Sequence, residues 1–295
     1  MTTASTRELM RDAVERSGVV PAFNVITLEH AEAVVDGLTR AESCGILQVS
    51  ERALQFHASR IEPILSACAH LAAAAHVPIA IHLDHIQDSA LAWRVIESAA
   101  QFGVSSIMLD FSTLERPDNM RLTSEAATHA HAQGLFAEAE LGKIGGKDGA
   151  HAPGARTDPD DAFDFVAETG VDALAVAIGS SHAMTSRDAH LDLDLATRLA
   201  QKVQVPLVLH GSSGVPDHEL VAAVNAGIRK VNIGTALNVS FTAAVRRVLT
   251  DQPALTDPRD YLREARAAVS STVEEFCRVL AGHQIRLHSS EGAPS

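Results

Sequence analysis

The sequence predicts a single closed (β/α)8 barrel, a TIM barrel, and three observations predict it. Eight short apolar, β-rich runs recur along the chain, helical segments alternate with them, and 295 residues is an ordinary length for one such barrel. Strict alternation of strand and helix argues for a parallel sheet, and eight repeats argue for closure rather than an open doubly wound sheet.

In order, the runs are VVPAFNV (19–25), GILQVS (45–50), VPIAIHLDH (77–85), SSIMLDFS (105–112), LFAEAELG (135–142), ALAVAIGSS (173–181), VPLVLHG (205–211) and KVNIGTA (230–236). Between them lie stretches such as LEHAEAVVDGLTRAESCG and DSALAWRVIESAAQFG, whose apolar residues recur at three and four and which close with Gly. The repeat carries no strong internal sequence copy, and no linker-like change of composition divides the chain. Residues 1–287 are therefore read as one domain, with extra C-terminal helical material at 257–282 outside the barrel and a frayed tail over 288–295.

Composition excludes several function classes. The chain is 46% hydrophobic, enough for a large core, and its formal net charge of −13 with no long basic run makes nucleic acid and anionic membrane surfaces poor partners. Any phosphate must be held locally. Cys44, Cys68 and Cys277 show no CxxC spacing and no framework pattern, which fits free thiols in a reducing compartment. The N-terminal stretch MTTASTRELMRDAVERSG has helical spacing and lacks a signal-peptide apolar core, and no segment reaches the roughly 18 apolar residues of a membrane span. A cytoplasmic protein is expected.

The stretch IAIHLDHIQD (79–88) is the least ordinary in the chain. Burying imidazoles and carboxylates at the end of a hydrophobic strand is costly unless they are paired or bind a metal. The other strands repeat the theme. His82, Asp84 and His85 end strand 3, Asp110 strand 4, Glu138 and Glu140 strand 5; His182 follows strand 6, His210 ends strand 7 and Asn232 lies in strand 8. All sit at C-terminal strand ends, the face on which barrel enzymes build their active sites. With 15 histidines in the chain, one at a strand end is ordinary and commonly structural. Histidines from strands 3, 6 and 7 together offer neutral imidazole nitrogens, the preferred set for a catalytic zinc with an open position, and the best triad is His85, His182 and His210. Alternation puts Asp84 and His82 on the same side of the strand, so the chain must twist or turn at His85 to bring it in. His82 is either a hydrogen-bond partner behind the ligands or a packed core histidine.

Two Gly-rich segments supply an anion site. HGSSGVP (210–216) follows strand 7 and precedes a helix, and NIGTA (232–236) ends strand 8 and opens another. Either loop alone reads equally as turn and N-cap chemistry. Paired at strands 7 and 8, they match the place where barrels bind phosphate through backbone N–H groups and hydroxyls such as Ser212, Ser213 and Thr235, without Lys or Arg.

HLDH, EAELGKIGG, AVAIGSSH, VPLVLHGSSG and KVNIGT, in that order and with PAFNV and VSERA before them, resemble the class II, zinc-dependent ketose-bisphosphate aldolases, especially their tagatose-bisphosphate branch. The resemblance spans most of residues 5–287. It implies that His85, His182 and His210 bind a catalytic zinc and that Asp84 exchanges a proton with a substrate oxygen. It also places Asp110 and Glu140 where some members hold a second cation, divalent or monovalent. Asn24, Ser50, Gly179, Gly211, Ser212, Ser213, Asn232, Gly234 and Thr235 then bind substrate or its phosphate, and Arg286, in GHQIR, matches a C-terminal arginine of the family. The implied reaction is reversible cleavage of a fructose- or tagatose-bisphosphate-like ketose to dihydroxyacetone phosphate and an aldehyde through a metal-stabilised enediolate, with no lysine Schiff base. A homodimer or homotetramer is expected.

The sequence departs from that pattern at three places. The family usually carries an acidic pair just after its paired glycines, in a mobile loop credited with deprotonating the donor; here the text is GGKDGAHAPGARTDP (145–159), and Asp148 is the remaining nearby carboxylate. Ala183 stands where a Gly usually follows the second zinc histidine, and Phe111 interrupts a segment that is usually Asp-Gly-Ser. Both add bulk near the site and point to an altered acceptor or donor. Two other functions fit the same residues: another metal-dependent sugar-phosphate barrel enzyme, such as an isomerase or hydrolase, and a catalytically silent phosphate-ligand-binding relative.

Overall fold

The computed structural model describes residues 3–141, 156–180 and 187–290, with side chains described as far as residue 282. Eight parallel strands close on themselves in chain order. They are β1 (Val20–Asn24), β2 (Gly45–Ser50), β3 (Ile79–Ile86), β4 (Ser106–Leu109), β5 (Phe136–Glu140), β6 (Ala173–Val176), β7 (Leu207–Leu209) and β8 (Ile228–Ile233). Each falls on its predicted run. β8 begins two residues early and stops at Ile233, because Gly234 turns the chain and the helix Thr235–Asp251 starts at once.

Period-2 alternation sorts the strand residues into two cores. Phe23, Leu47, Val49, Ile81, Leu83, Ile107, Leu109, Ala137, Ala139, Leu174, Val176, Leu207, Leu209 and Val231 face outward and pack beneath the helices. Val20, Ala22, Ile46, Ala80, Met108, Phe136, Ala173, Ala175 and Val208 fill the lower barrel interior. That interior is a packed core, closed below by Leu9, Met10 and Ala13 of the helix Thr6–Glu15.

The helical material expected beyond the barrel is the helix Pro258–Ser290. It packs along the outer helices Leu28–Arg40 and Thr235–Asp251. Residues 291–295 of the expected tail lie outside the described residues. Among the described residues, no helix is long and apolar enough to cross a membrane, and Cys44, Cys68 and Cys277 are free thiols.

Candidate active site

The same alternation that fills the lower barrel carries the polar residues upward. Asn24 continues the inward parity of Val20 and Ala22, Gln48 and Ser50 that of Ile46, His82 and Asp84 that of Ala80. Asp110 follows Met108, Glu138 and Glu140 follow Phe136, and His210 follows Val208 in the same way. His85 alone is out of phase. Its φ of 48° is left-handed, and the β3–β4 register shifts between Leu83 and Ile86. This is the turn that alternation required, and it swings the imidazole inward.

There His85 Nε2 lies 2.9 Å from His210 Nδ1. Each ring is anchored on its far nitrogen by a carboxylate: His85 Nδ1 meets Asp110 Oδ2 at 2.8 Å, and His210 Nε2 meets Glu138 Oε1 at 3.1 Å. An ionised carboxylate only accepts, so the far nitrogens carry hydrogens; the near nitrogens share one between them, and a cation that displaced it would meet two lone pairs aimed at one point. Two nitrogens on a tetrahedral zinc stand about 3.3 Å apart, so a shift of a few tenths of an ångström fits the pair to a cation. Glu140 completes the set, its carboxylate and the two imidazoles offering ligand atoms within 4.8 Å of one another. The residues fit a divalent cation, in the carboxylate–histidine–metal arrangement that fixes ring tautomers.

The local potential points the same way. Burial alone would push the His85 pKa down, yet Asp84, Asp110 and Glu140 overcome it and raise it to about 10. A pocket that favours a proton this strongly is negative and suits a cation. Asp110, despite its burial, is held far below the ordinary carboxylate range by His85, Ser112 and Gln87. Its Oδ1 accepts from the Ser112 hydroxyl at 2.6 Å and its Oδ2 also accepts from Gln87 at 2.9 Å. Asp110 anchors His85, and Glu140 stands with the two histidines.

Asp84 belongs to a separate relay. Gln48 Nε2 donates to Asn24 Oδ1 at 2.8 Å, and Asn24 Nδ2 donates to Asp84 Oδ2 at 2.9 Å. The other carboxylate oxygen, Asp84 Oδ1, is buried and has no hydrogen-bond partner among the described residues; the same holds for Asn232 Oδ1. Gly234 makes room for this relay, since a Cβ there would stand 2.7 Å from Asn24 Oδ1.

The expected phosphate loops are tied to each other. Gly211 turns the chain after β7 with φ 67°, Ser212 Oγ donates to the Leu209 carbonyl at 3.1 Å, and Ser213 Oγ accepts from Ala236 N–H at 3.0 Å, beside Thr235 at the start of the helix Thr235–Asp251. Ser213 thus ties the second loop to the first while its own O–H remains a donor, whereas Ser212 donates within its own loop. Ser50 caps the short helix Glu51–Phe56, accepting from Ala53 N–H at 3.2 Å. Gly179 has φ 127°, and a Cβ there would run into the His190 carbonyl. His182, Ala183 and Asp148 lie outside the described residues, as does the side chain of Arg286.

Sequence reading passed over Gln48 and Lys230, and it gave Glu138 and His82 no settled role. Each sits two residues before a predicted site residue on its strand: Gln48 before Ser50, Lys230 before Asn232, Glu138 before Glu140, His82 before Asp84. Strand parity carried to the next layer down was the signal that could have found them. His82 is a hydrogen-bonded interior residue, with Nδ1 2.8 Å from Ser106 Oγ.

Comparison with known proteins places the chain. Residues 4–284 match the family model of class II fructose-bisphosphate aldolase. Among solved structures, the YdjI aldolase from Escherichia coli K12 is 33% identical, with 95% of this chain and 97% of that one covered at a TM-score of 0.80. A putative fructose-1,6-bisphosphate aldolase from Coccidioides immitis is 27% identical, with 93% and 94% covered and a TM-score of 0.78. The fructose-bisphosphate aldolase of Campylobacter jejuni shares the fold at 23% identity and a TM-score of 0.80, with 95% of each chain covered. With the family model spanning nearly its whole length and these relatives sharing its closed barrel, the chain belongs to the class II fructose-bisphosphate aldolase family and is an aldolase, a carbon–carbon lyase.

Proposed function

We propose that this aldolase depends on a divalent cation, zinc by the chemistry of its donors, and cleaves a phosphorylated ketose to dihydroxyacetone phosphate and an aldehyde. The observation that carries the reading is the His85–His210 pair, whose near nitrogens face each other at 2.9 Å while Asp110 and Glu138 hold the far ones. His85, His210 and Glu140 would hold the cation, with His182 as the further imidazole ligand. Bound there, it would supply Lewis-acid polarisation of the substrate ketone.

The chain's own groups do the rest. Asp84 is the proposed base that takes the proton from the hydroxyl of the bond being cleaved and returns it in the condensation direction; its Oδ1, lacking a partner among the described residues, is the atom for that proton. Asn24 donates to the opposite oxygen and so holds the carboxylate while leaving Oδ1 for that proton. The 211–213 and 234–236 loops would take the phosphate through backbone N–H groups and hydroxyls such as those of Ser213 and Thr235, at the start of the helix Thr235–Asp251. Asp148 is proposed to remove the donor C–H proton.

The test is a panel of phosphorylated ketoses assayed for release of dihydroxyacetone phosphate, run beside metal analysis. About one catalytic divalent ion per chain, loss of activity on chelation and no borohydride-trapped adduct are expected. Full activity in excess chelator after prolonged dialysis would overturn the metal assignment. Bound metal without turnover on any ketose phosphate would point to a silent binding protein.

A further inference from the structure

Below the histidine pair lies a buried cation that none of these roles uses. Lys230, on β8, and Glu138, on β5, each expose about 1% of their side chains, and Lys230 Nζ donates to Glu138 Oε2 at 2.7 Å. The other oxygen of the same carboxylate is the one that meets His210 Nε2 at 3.1 Å. One buried carboxylate thus spans an ammonium and an imidazole.

That imidazole has two conflicting neighbours. Asn232 Nδ2 stands 3.0 Å from the same Nε2 and asks it to accept, while Glu138 asks it to donate. With the hydrogen on Nε2, Nδ1 offers its lone pair toward His85; with the hydrogen on Nδ1, that face is closed to a cation. A charge-assisted bond to a carboxylate is roughly twice as strong as a neutral one, so Glu138 decides the contest as long as its carboxylate is held in place. The Asn232 amide then turns over, and Oδ1, which otherwise lacks a partner, faces the Nε2–H. Lys230 does the holding. Its other neighbour, His82 Nε2 at 3.5 Å, belongs to a ring that leans on Ser106, which in turn meets Thr6 Oγ1 at 2.7 Å.

We propose that Lys230 is a positioning residue for the metal site, fixing through Glu138 the tautomer and orientation in which His210 presents Nδ1 to the cation. The inference rests on the proposed role of His210 as a ligand. Its test uses the full chain loaded with Co2+, reading affinity by competition with a chelating dye and the ligand field by visible absorption. Lys230→Met is expected to lower Co2+ affinity about 10- to 100-fold and shift the spectrum, the usual effect of losing a group behind a metal ligand. Glu138→Gln, added to Lys230→Met, should cost little more, because both act on the same ring nitrogen. A lysine that serves only the fold would lower thermal stability yet leave the affinity and spectrum of the folded protein unchanged, and that result overturns the proposal. Should Lys230→Met not fold, Lys230→Gln, which keeps a donor at this position without the charge, takes its place; a loss of Co2+ affinity with a shifted spectrum upholds the proposal, and wild-type affinity and spectrum in the folded protein overturn it. Failure of the wild-type protein to bind Co2+ would instead strike the metal reading itself.

Discussion

His85 and Asp84 are neighbours in sequence and opposites in how they meet the demands of the site. His85 reaches it through a backbone conformation that costs a non-glycine residue on the order of 1–3 kcal/mol, recovered through its bonds to Asp110 and His210. Asp84 needs no distortion, but one of its oxygens is buried without a partner among the described residues. An orphaned carboxylate oxygen is a stability defect kept for another purpose. Asp84→Asn should therefore leave the melting temperature unchanged or raise it and keep the metal, while turnover falls on the order of 10²- to 10⁴-fold, as for loss of a general acid–base group. Kinetics, metal analysis and a thermal melt on the same preparation check this. Metal lost together with activity would make Asp84 a structural support of the ligand set.

At the scale of elements, the helix Pro258–Ser290 is held against the helix Leu28–Arg40 at a point where no side chain fits. A Cβ on Gly37 would stand 2.6 Å from both the Ser270 carbonyl and Val273 Cβ, and Val273 is fully buried. Because the obstacle includes backbone, relief requires the two helices to part. Gly37→Ala is expected to cost about 1–3 kcal/mol in urea unfolding, the usual penalty of overpacking, with the Michaelis constant little changed. An unaltered urea midpoint would mean that the outer helix is loosely seated. Gly37 also marks where sequence reading stops. The strands and helix Leu28–Arg40 were legible because period-2 and period-3.6 patterns are local. The clash at Gly37 depends on a residue more than 230 positions away, which no local pattern carries. Within the site, the same division holds. His85, His210, Asp84 and Glu140 announced themselves as polar residues at strand ends, and even the turn at His85 followed from alternation. The resemblance placed Asp110 and Glu140 at a second cation, whereas the Ser112, Gln87 and His85 bonds to the Asp110 oxygens are tertiary facts that no local pattern carries. Lys230 has no local signature, because the carboxylate that neutralises it, Glu138, lies 92 positions away in sequence.

Across the whole molecule, chemistry and stability occupy opposite ends of the barrel, with a polar column from Thr6 through Ser106, His82, Lys230 and Glu138 joining the floor to His210. The floor has its own keystone in Asp172, just before β6. Its carboxylate takes both Arg7 guanidinium nitrogens, at 2.8 and 3.2 Å, His131 Nε2 at 2.8 Å and the Ala137 N–H at 2.8 Å. It thereby ties the helix Thr6–Glu15 and the helix Arg116–Ala132 to β5. Partial burial pulls its pKa up, but Arg7, the Ala137 N–H and His131 outweigh that and lower it. A carboxyl with a folded-state pKa below its unfolded value contributes stability that is complete above the unfolded value, near 4, and is lost as the pH falls through the folded one. Asp172→Asn should therefore cost about 1–3 kcal/mol in urea unfolding at pH 7, the range for hydrogen bonds to a charged group. The gap between wild type and variant should hold from pH 7 to about 5 and narrow below about 4, where the unfolded wild type takes up a proton that its folded form still resists. Aldol cleavage by the folded variant should match the wild type, since Asp172 lies at the N-terminal face, away from the strand ends that carry the histidines. A gap independent of pH would assign the loss to amide packing rather than to the carboxylate charge, and a drop in turnover at full folding would show that the two ends of the barrel are coupled through the column.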